Sequence, residues 1–552
     1  MVVLVVLAAL PRFWWFGRLG LNHFDEGGYA MSARALALNE LPEGLYPLQH
    51  FLSPPLFPSL AGLGMKLFGA NADWVVLGLS AVMGVATVPL LFLFGRRWFS
   101  REAGLAAGVL LALSDFHIVL SRIGLTDVMF TFSFLLALWA FAEAEERQSW
   151  AFAALAGVAT GLAWNVKYHG WLAGVIAAAA LAPLVLRGDF RRAAAGLGRI
   201  ALAAVIALLL YAPWVLWVAS TESGYSGLLA EHARFLQPAR AVHAALRHVQ
   251  MQLYLDGWSS RFAPAVSFIG AALLGGGWRG LRRAPVSLAA AILFASGCLI
   301  GLVATVALLA AAGLWLVARG AGHGRWITLA LLAAFTILTP LYHPYARLLL
   351  PALVGAMLVA GVTTALLAVR LASAQPVRSR AAVTALAAVI AGLALVVGLR
   401  REPLTTYRSS RGMASAAERF AQLVPRNAEV IVLGEPAIVF YLRSRGLSAW
   451  QYDRPSGLMG GRYSAGDTIY VAGGIYSRRA RGLERIAVQF AGAIDSLGTI
   501  PITQVNHVRL LDDFSPARAR SFMRSELTAP TDRYHLEVFR VVVPDSSAAN
   551  SR

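Results

Sequence analysis

Charged residues are scarce in this sequence. Only 14% of its 552 residues are charged, against about 25% in a typical soluble protein. Lysine occurs twice, as Lys66 and Lys167, so the other basic residues among the 48 are arginines. Cysteine occurs once, as Cys298, which excludes a disulfide within the chain. Together with a hydrophobic share of 58%, this composition excludes an ordinary soluble enzyme.

Long apolar runs fill most of the first 400 residues. Each is about as long as a transmembrane helix, roughly 17–25 residues. The runs predict a polytopic α-helical membrane protein with about thirteen spans, and the segment 286–318 is either two of them or one long tilted helix. The predicted spans are 1–16, 74–94, 104–120, 127–142, 151–166, 170–186, 200–219, 262–278, 286–302, 303–318, 326–340, 347–369 and 381–399.

The net charge of +19 lies mainly in the gaps between these spans. With the N-terminus in the cytoplasm, most arginine clusters fall in inside loops, as the positive-inside rule requires. The same count places two long loops, at about 17–72 and 220–261, on the non-cytoplasmic side. We therefore expect an integral protein of the inner or plasma membrane that binds the lipid bilayer and no nucleic acid.

The composition changes after about residue 400, where charge rises and apolar runs shorten. This predicts a membrane domain over 1–400 and a small soluble α/β domain over 401–552 on the extracytoplasmic side. The predicted strands are 429–433, 468–472, 507–511 and 534–543, and the predicted helices are 414–423, 436–445 and 478–497. The domain contains no nucleotide-binding glycine loop, no metal-spaced Cys/His cluster and no Gly-x-Ser-x-Gly elbow.

Two adjacent carboxylates, Asp25 and Glu26, lie in the first outer loop, after a belt of aromatic residues. In an arbitrary loop such a pair is most often a solvated surface feature. Here Gly27 and Gly28 follow directly, and a carboxylate at the outer interface is well placed to take a proton from an acceptor hydroxyl. We expect Asp25 to perform acid–base chemistry.

A short outer turn, Ser121–Asp127, carries Arg122 and Asp127 at the ends of two spans. One interpretation is an Arg–Asp pair that caps two helices. The other is a site in which Asp127 orients the Asp25 loop or shares a metal with it. We do not favour a metal cofactor, because Asp25 and Asp127 are a thin ligand set for a hard cation.

Basic residues also stand beside aromatic ones in two further outer turns. Lys167 precedes Tyr168, and His343 and Arg347 flank Tyr345. They are either interfacial snorkelling residues or a clamp for a phosphate, whose charge Lys and Arg donors would stabilise. Lys66 has a similar setting.

Taken together, these motifs resemble the polytopic glycosyltransferases that use polyprenyl-phosphate sugars, a group with the GT-C fold. The chain is most similar to the protein O-mannosyltransferases and the bacterial lipid A aminoarabinose transferases. The stretches that carry the resemblance are Phe24-Asp25-Glu26-Gly27-Gly28-Tyr29-Ala30, Ser53-Pro54-Pro55-Leu56 with Lys66-Leu67-Phe68-Gly69, Ser121-Arg122-Ile123-Gly124-Leu125-Thr126-Asp127, and Tyr345-Ala346-Arg347-Leu348-Leu349-Leu350-Pro351-Ala352-Leu353.

The resemblance implies an inverting sugar transfer from a polyprenyl-phosphate donor to a hydroxyl of a protein, lipid or glycan. Asp25 would be the general base, Glu26 would help to bind a sugar, and Asp127 would support the site. The residues that would hold the lipid phosphate are Arg122, Lys167 and Arg347, with His343 and Lys66 as further candidates. Tyr29 and Tyr345 would contact substrate.

Two other classes of protein compete with a transferase. A transporter or lipid flippase would place charges near the bilayer midplane and often shows inverted repeats. Here the charged candidates cluster at one interface and no repeat is visible, which favours the enzyme. A noncatalytic scaffold for the outer domain would tolerate the loss of Asp25.

Overall fold

The computed structural model describes residues 1–40, 54–221, 224–319, 322–375, 379–400, 407–452, 463–475, 493–528 and 534–543. These residues form two compact units. The helical unit comprises Met1–Trp14, Ser80–Ser121 and Thr126–Thr406. The mixed unit comprises Trp15–Leu79, Arg122–Leu125 and Tyr407–Arg552. The first predicted outer loop therefore belongs to the same unit as the C-terminal segment.

Helices dominate the chain up to residue 400. They are α1 Val2–Phe13, α2 Phe24–Leu38, α3 Leu56–Phe68, α4 Asp73–Trp98, α5 Arg101–Ala112, α6 Asp115–Ser121, α7 Thr126–Glu146, α8 Trp150–Val166, α9 Leu172–Ala179, α10 Ala182–Leu186, α11 Phe190–Ala219, α12 Gly224–Ala233, α13 Ala241–Leu255, α14 Trp258–Leu281, α15 Ala284–Leu299, α16 Leu302–Arg319, α17 Gly324–Leu338, α18 Leu350–Ser373 and α19 Arg380–Arg400.

Within the described ranges, seven helices are long and apolar enough to cross a membrane. A bent pair, α5 and α6, would make an eighth span, and several shorter apolar helices accompany them. The membrane class predicted from composition is confirmed, while the number thirteen stays a prediction. Two helices, α15 and α16, occupy the segment whose division was open. They are separated at Gly301, whose φ of +88° interrupts a helix.

The predicted single span 104–120 is wrong in one respect, because the chain bends by 61° between α5 and α6. Ser114 begins the second helix by accepting a hydrogen bond from the His117 nitrogen at 3.4 Å. The buried Arg12 guanidinium donates to the Ala112 carbonyl at 3.2 Å and lies 2.6 Å from His117 Nδ1. Side-chain donors thus satisfy carbonyl oxygens that the break leaves without helical partners.

The mixed unit contains a five-stranded sheet with the order β2-β1-β3-β5-β4. Strands β1, β2 and β3 are parallel, and β5 is antiparallel to β3 and to β4. The strands are β1 Glu429–Leu433, β2 Ser448–Tyr452, β3 Thr468–Gly473, β4 Ile494–Pro501 and β5 His535–Val542; the helices of this segment are α20 Gly412–Leu423, α21 Pro436–Arg443, α22 His507–Asp513 and α23 Pro516–Thr528.

The sheet confirms an α/β domain but corrects two of its predicted elements. Residues 507–511 were expected to form a strand and instead form α22, because Asn506 accepts a hydrogen bond from the Arg509 nitrogen at 2.8 Å and caps a helix. Residues 494–497, at the end of a predicted helix, belong to β4, which pairs with the distant β5. Residues 478–492 of that predicted helix lie outside the described residues.

Candidate active site

The Asp25-Glu26 pair lies in the first turn of α2. His23 is the N-cap, and its Nδ1 accepts a hydrogen bond from the Asp25 backbone nitrogen at 3.1 Å. Glu26 completes a capping box by accepting from the His23 backbone nitrogen at 2.7 Å. Two carboxylates in the first turn also interact favourably with the helix dipole. The sequence therefore starts a helix at the motif.

The Glu26 carboxylate is fully buried and surrounded by protein donors. Its Oε2 accepts from the backbone nitrogens of Asn22 and His23 and, at 3.2 Å, from Nδ2 of Asn506. Its Oε1 accepts from the backbone nitrogen of Gly124 at 2.7 Å. Burial raises the pKa of Glu26, and the three backbone donors oppose the rise by stabilising the ionised form. Glu26 thus joins three separate segments of the mixed unit.

Asp25 has a different environment although it is the adjacent residue. Its side chain is 18% exposed, because successive residues of a helix point about 100° apart. Of the two neighbouring carboxylates, only Asp25 can meet a substrate without first displacing the donors that enclose Glu26. Asp25 is thus the more accessible of the two carboxylates, and the predicted roles of Asp25 as base and of Glu26 in binding a sugar stay predictions.

Gly27 is required by close packing of α2 on α21. A Cβ atom at this position would lie 2.1 Å from the Ala437 nitrogen and 2.5 Å from the Pro436 carbonyl carbon. Tyr441 of α21 donates from its hydroxyl to Asp73 at 2.7 Å and accepts from the Leu21 nitrogen at 2.8 Å. The glycine of the motif thus permits the C-terminal segment to contact the Asp25 helix.

Arg122 also belongs to the mixed unit, where its guanidinium stacks on the Tyr407 ring at 5.5 Å. Its side chain is buried, and burial lowers its pKa to about 10. The group remains positively charged near neutral pH. Arg122, which the sequence predicts to hold the lipid phosphate, is therefore a cation that is largely shielded from water.

In the helical unit, Lys167 and Arg347 both face Asp127. Lys167 Nζ lies 2.7 Å from Asp127 Oδ1, and Arg347 Nε lies 3.9 Å from Asp127 Oδ2. The three side chains are at most 14% exposed. Two cations thus lie near one carboxylate in a poorly solvated place, and their predicted role in holding a phosphate stays a prediction. The interpretation of Arg122 and Asp127 as a capping pair stays a prediction.

Aromatic rings surround the Arg347 side of this cluster. Arg347 stacks on Tyr345 at 5.0 Å, and the Tyr345 and His343 rings lie 4.7 Å apart. The His343 nitrogen donates to the Phe235 carbonyl at 2.8 Å, which joins this turn to the second long loop. Burial lowers the pKa of His169, close to Lys167 in the chain, to about 3, so its imidazole stays neutral.

Two remaining candidates lie elsewhere in the mixed unit. Tyr29 is buried and packs edge-to-face on Phe57 at 5.5 Å, so its ring is part of the core. Lys66 is exposed in the last turn of α3, next to the exposed side chains of Leu67 and Phe68. Their predicted roles in binding stay predictions.

Three residues that the sequence did not single out contact the motif helix. His23 caps it, Asn506 reaches Glu26, and Asp512 Oδ2 lies 2.6 Å from His23 Nε2. A capping-box spacing from His23 to Glu26 was the only available signal. Throughout the described ranges, no group of three or more His, Cys, Asp and Glu residues could hold a metal ion; the preference against a metal stays a prediction.

Comparisons with known proteins agree with the fold. A family model described as dolichyl-phosphate-mannose-protein mannosyltransferase matches residues 53–217, which include Arg122, Asp127 and Lys167. An undecaprenyl phosphate-alpha-4-amino-4-deoxy-L-arabinose arabinosyl transferase of Pseudomonas paraeruginosa is 29% identical over 283 residues, 45% of this chain and 49% of that relative. One from Pseudomonas aeruginosa is 30% identical over 217 residues, covering 36% and 37%. The matched part thus spans half or less of these relatives.

Two solved structures share the architecture. ArnT from Cupriavidus metallidurans bound to undecaprenyl phosphate gives a TM-score of 0.53 at 14% identity, over 91% of this chain and 96% of that one. The Archaeoglobus fulgidus oligosaccharyltransferase, in complex with zinc and sulfate, gives 0.53 at 13% identity, over 98% and 88%. The chain therefore has the fold of these two proteins, and the mannosyltransferase family model matches one part of it, residues 53–217.

Proposed function

We propose that this protein transfers a sugar from a polyprenyl-phosphate donor to an acceptor hydroxyl on the non-cytoplasmic face, with inversion and with Asp25 as general base. The observation that carries the proposal is the contrast between two adjacent carboxylates. Glu26 is enclosed by protein donors, whereas Asp25 is 18% exposed at the start of α2. A base must reach the proton that it takes.

The chemistry needs one proton acceptor and one leaving group. The acceptor oxygen attacks the anomeric carbon as the bond from that carbon to the phosphate oxygen breaks. The hydroxyl proton passes to the Asp25 carboxylate, and the electron pair leaves with the polyprenyl phosphate. Attack from the face opposite the phosphate inverts the anomeric centre.

The helical unit supplies cations suited to the departing phosphate. Lys167 and Arg347 outnumber the carboxylate of Asp127, so the cluster carries a net positive charge. Cations in a poorly solvated place stabilise developing negative charge more strongly than they would in water. Asp127 holds both side chains in place, and Arg122 of the mixed unit is a further buried cation.

The names of the relatives support the donor class. The two Pseudomonas relatives are named for undecaprenyl phosphate-linked aminoarabinose, and the Cupriavidus protein binds undecaprenyl phosphate. A lipid-linked donor also explains why membrane helices form most of the chain. The arginine distribution favours a location in the inner or plasma membrane with the site outside.

The test uses purified protein in lipid with a panel of polyprenyl-phosphate sugars and a crude membrane extract as acceptor source. Release of free polyprenyl phosphate is compared for the parent and Asp25→Asn. We expect a loss of about 10²–10⁴-fold in the variant, the range of general-base catalysis. The matched control is Asp495→Asn, which changes an exposed carboxylate in the same unit.

Equal release by Asp25→Asn and the parent would refute Asp25 as the base. Movement of an intact lipid-linked sugar across vesicles, without release of polyprenyl phosphate, would favour the flippase alternative. The anomeric configuration of the product, read by NMR, decides between inversion and retention.

A further inference from the structure

Helix α22 contacts the start of α2 at two points. Asp512, near the end of α22, has its Oδ2 2.6 Å from His23 Nε2. Asn506, the N-cap of α22, donates from Nδ2 to Glu26 Oε2 at 3.2 Å. The partners are 489 and 480 residues apart in the chain, so these contacts depend entirely on the tertiary fold.

The contact with Asp512 fixes the orientation and tautomer of His23. His23 Nδ1 accepts from the Asp25 backbone nitrogen, so the proton of the neutral imidazole lies on Nε2. That proton is donated to Asp512 Oδ2. The side chains of His23 and Asp512 are only 3% and 2% exposed, so water does not compete effectively for either group.

The contact with Asn506 acts on the other side of Asp25. Its partner Glu26 directly follows Asp25, and Asn506 itself is 8% exposed. The same side chain accepts from the Arg509 nitrogen at 2.8 Å, so one amide both starts α22 and reaches Glu26. Asp25 is thus bracketed by two residues that α22 holds.

Helix α22 is itself held firmly. Arg509 is fully buried and donates to Asp513 at 2.7 Å and to both oxygens of Glu435 at 2.9 and 3.0 Å. Tyr534 donates to Asp513 at 2.9 Å, which closes the network. A helix fixed in this way provides a rigid support for a site elsewhere in the unit.

We propose that Asp512 and Asn506 are positioning residues for Asp25, Asp512 acting through His23 and Asn506 through Glu26. This rests on the proposed role of Asp25 as base. Removing either contact leaves the carboxylate of Asp25 chemically intact but loosens the turn that aims it. A displacement of about 1 Å at a reacting group can reduce a rate about 100-fold.

The experiment measures kcat and the KM for the donor in a double-mutant cycle. The single variants are Asp512→Ala and His23→Asn, and the third is their combination. Asparagine is a good N-cap, so His23→Asn keeps the cap of α2 while it is too short to reach Asp512. Asp512→Asn keeps an acceptor for the His23 proton, and Asp495→Ala is the control at an exposed position of the same unit.

We expect Asp512→Ala to lower kcat about 10- to 100-fold with the KM changed less than about twofold. Asp512→Asn should recover most of the parent kcat, and Asp495→Ala should match the parent. The double variant should be no slower than the slower single variant, because both remove one contact. Asn506→Ala is expected to lower kcat in the same direction.

A parent-like kcat in Asp512→Ala, or single losses that multiply in the double variant, would overturn the proposal. If Asp512→Ala does not fold, the kcat values of Asp512→Asn and His23→Asn decide. A lowered kcat in His23→Asn together with a near-parent kcat in Asp512→Asn supports the proposal. A parent-like kcat in His23→Asn refutes it. Asp25→Asn is measured in parallel. If that variant is inactive while Asp512→Ala is unaffected, only the positioning role fails; if it is fully active, the proposed base fails and the positioning role with it.

Discussion

Glu26 Oε1 accepts a hydrogen bond from the Gly124 backbone nitrogen at 2.7 Å, and so joins the first turn of α2 to the turn that contains Arg122. The first of these turns contains the acidic pair Asp25-Glu26, and the second contains the basic residue Arg122. A single buried carboxylate therefore fixes both relative to each other within the mixed unit. Of the two carboxylates, Glu26 is fully buried and the Asp25 side chain is 18% exposed, while the catalytic role of Asp25 stays a proposal.

Glu26→Gln should destabilise the mixed unit. The substitution replaces one acceptor oxygen by an amino group. That amino group then faces N–H groups that donated to the carboxylate, so donors meet without an acceptor between them. We expect a loss of about 1–3 kcal/mol for each donor left without a partner. Chemical or thermal unfolding in detergent measures it. Asp25→Asn, at the adjacent and partly exposed position, should cost less stability than Glu26→Gln; equal losses in both would contradict the assignment.

Lys167→Met should lower stability, because it removes the cation that lies 2.7 Å from the Asp127 carboxylate. Breaking a buried ion pair costs about 3–5 kcal/mol when one charge is left alone, and Arg347 at 3.9 Å reduces that loss here. The double variant Lys167→Met with Asp127→Asn should therefore be more stable than Lys167→Met alone. Melting temperatures test this order.

The same double variant separates folding from phosphate binding. We expect it to regain stability without regaining transfer, because it lacks the cation that would hold the donor phosphate. The KM for the donor is the measurement. Recovery of full activity along with stability would show that Lys167 has only a structural role.

Gly27→Ala should disrupt the contact between α2 and α21. The new Cβ atom would lie 2.1 Å from the Ala437 nitrogen, so the backbone must shift. Overpacking of this kind typically costs about 1–3 kcal/mol. Gly17→Ala is the matched control, since a Cβ there meets nothing within 4 Å. A lower melting temperature and lower transfer are expected only for Gly27→Ala.

The buried Glu435 predicts a dependence of stability on pH. Burial raises its pKa to about 7, against the favourable charge of Arg509. The folded protein then binds this proton more tightly than the unfolded chain, in which a glutamate carboxyl has its ordinary pKa of 4.5. Its contribution is therefore fully present below the unfolded value and is lost as the pH rises toward 7.

The measurement for this group is the melting temperature between about pH 4.5 and 8 for the parent and for Glu435→Gln, a range that brackets the unfolded and folded pKa values. The difference isolates the Glu435 contribution from other titrating groups. We expect the parent to lose stability relative to the variant as the pH rises, by at most about 1.4 kcal/mol per pH unit. A constant difference across the range would contradict the raised pKa.

Apolar patterning predicted the helices of the membrane part well, because length and hydropathy are local properties of the chain. The helix bounds of α7, α8 and α18 lie within a few residues of the predicted spans. The bend at Ser114 was not predicted, since this residue lies in the middle of an apolar run whose average hydropathy hides it. The division near Gly301 was one of the two alternatives that the sequence left open.

Short elements of the mixed unit were harder to predict. The apolar residues at 507–511 suit a strand or a buried helix, and the capping of α22 by Asn506 decides between them. Strand β4 is stabilised by pairing with β5, which follows only after two intervening helices. Such pairing leaves little trace in the local sequence.

By itself, the sequence determined that the chain is a membrane protein, approximately where the helices of its membrane part run, and which charged motifs are candidates for chemistry. The tertiary structure decided which of two adjacent carboxylates is enclosed, that Asp127 pairs with Lys167, and that Asp512 reaches His23. The physical reason is that composition and periodicity report on burial along one segment. A hydrogen bond between residues hundreds of positions apart exists only when folding has brought a donor to its acceptor.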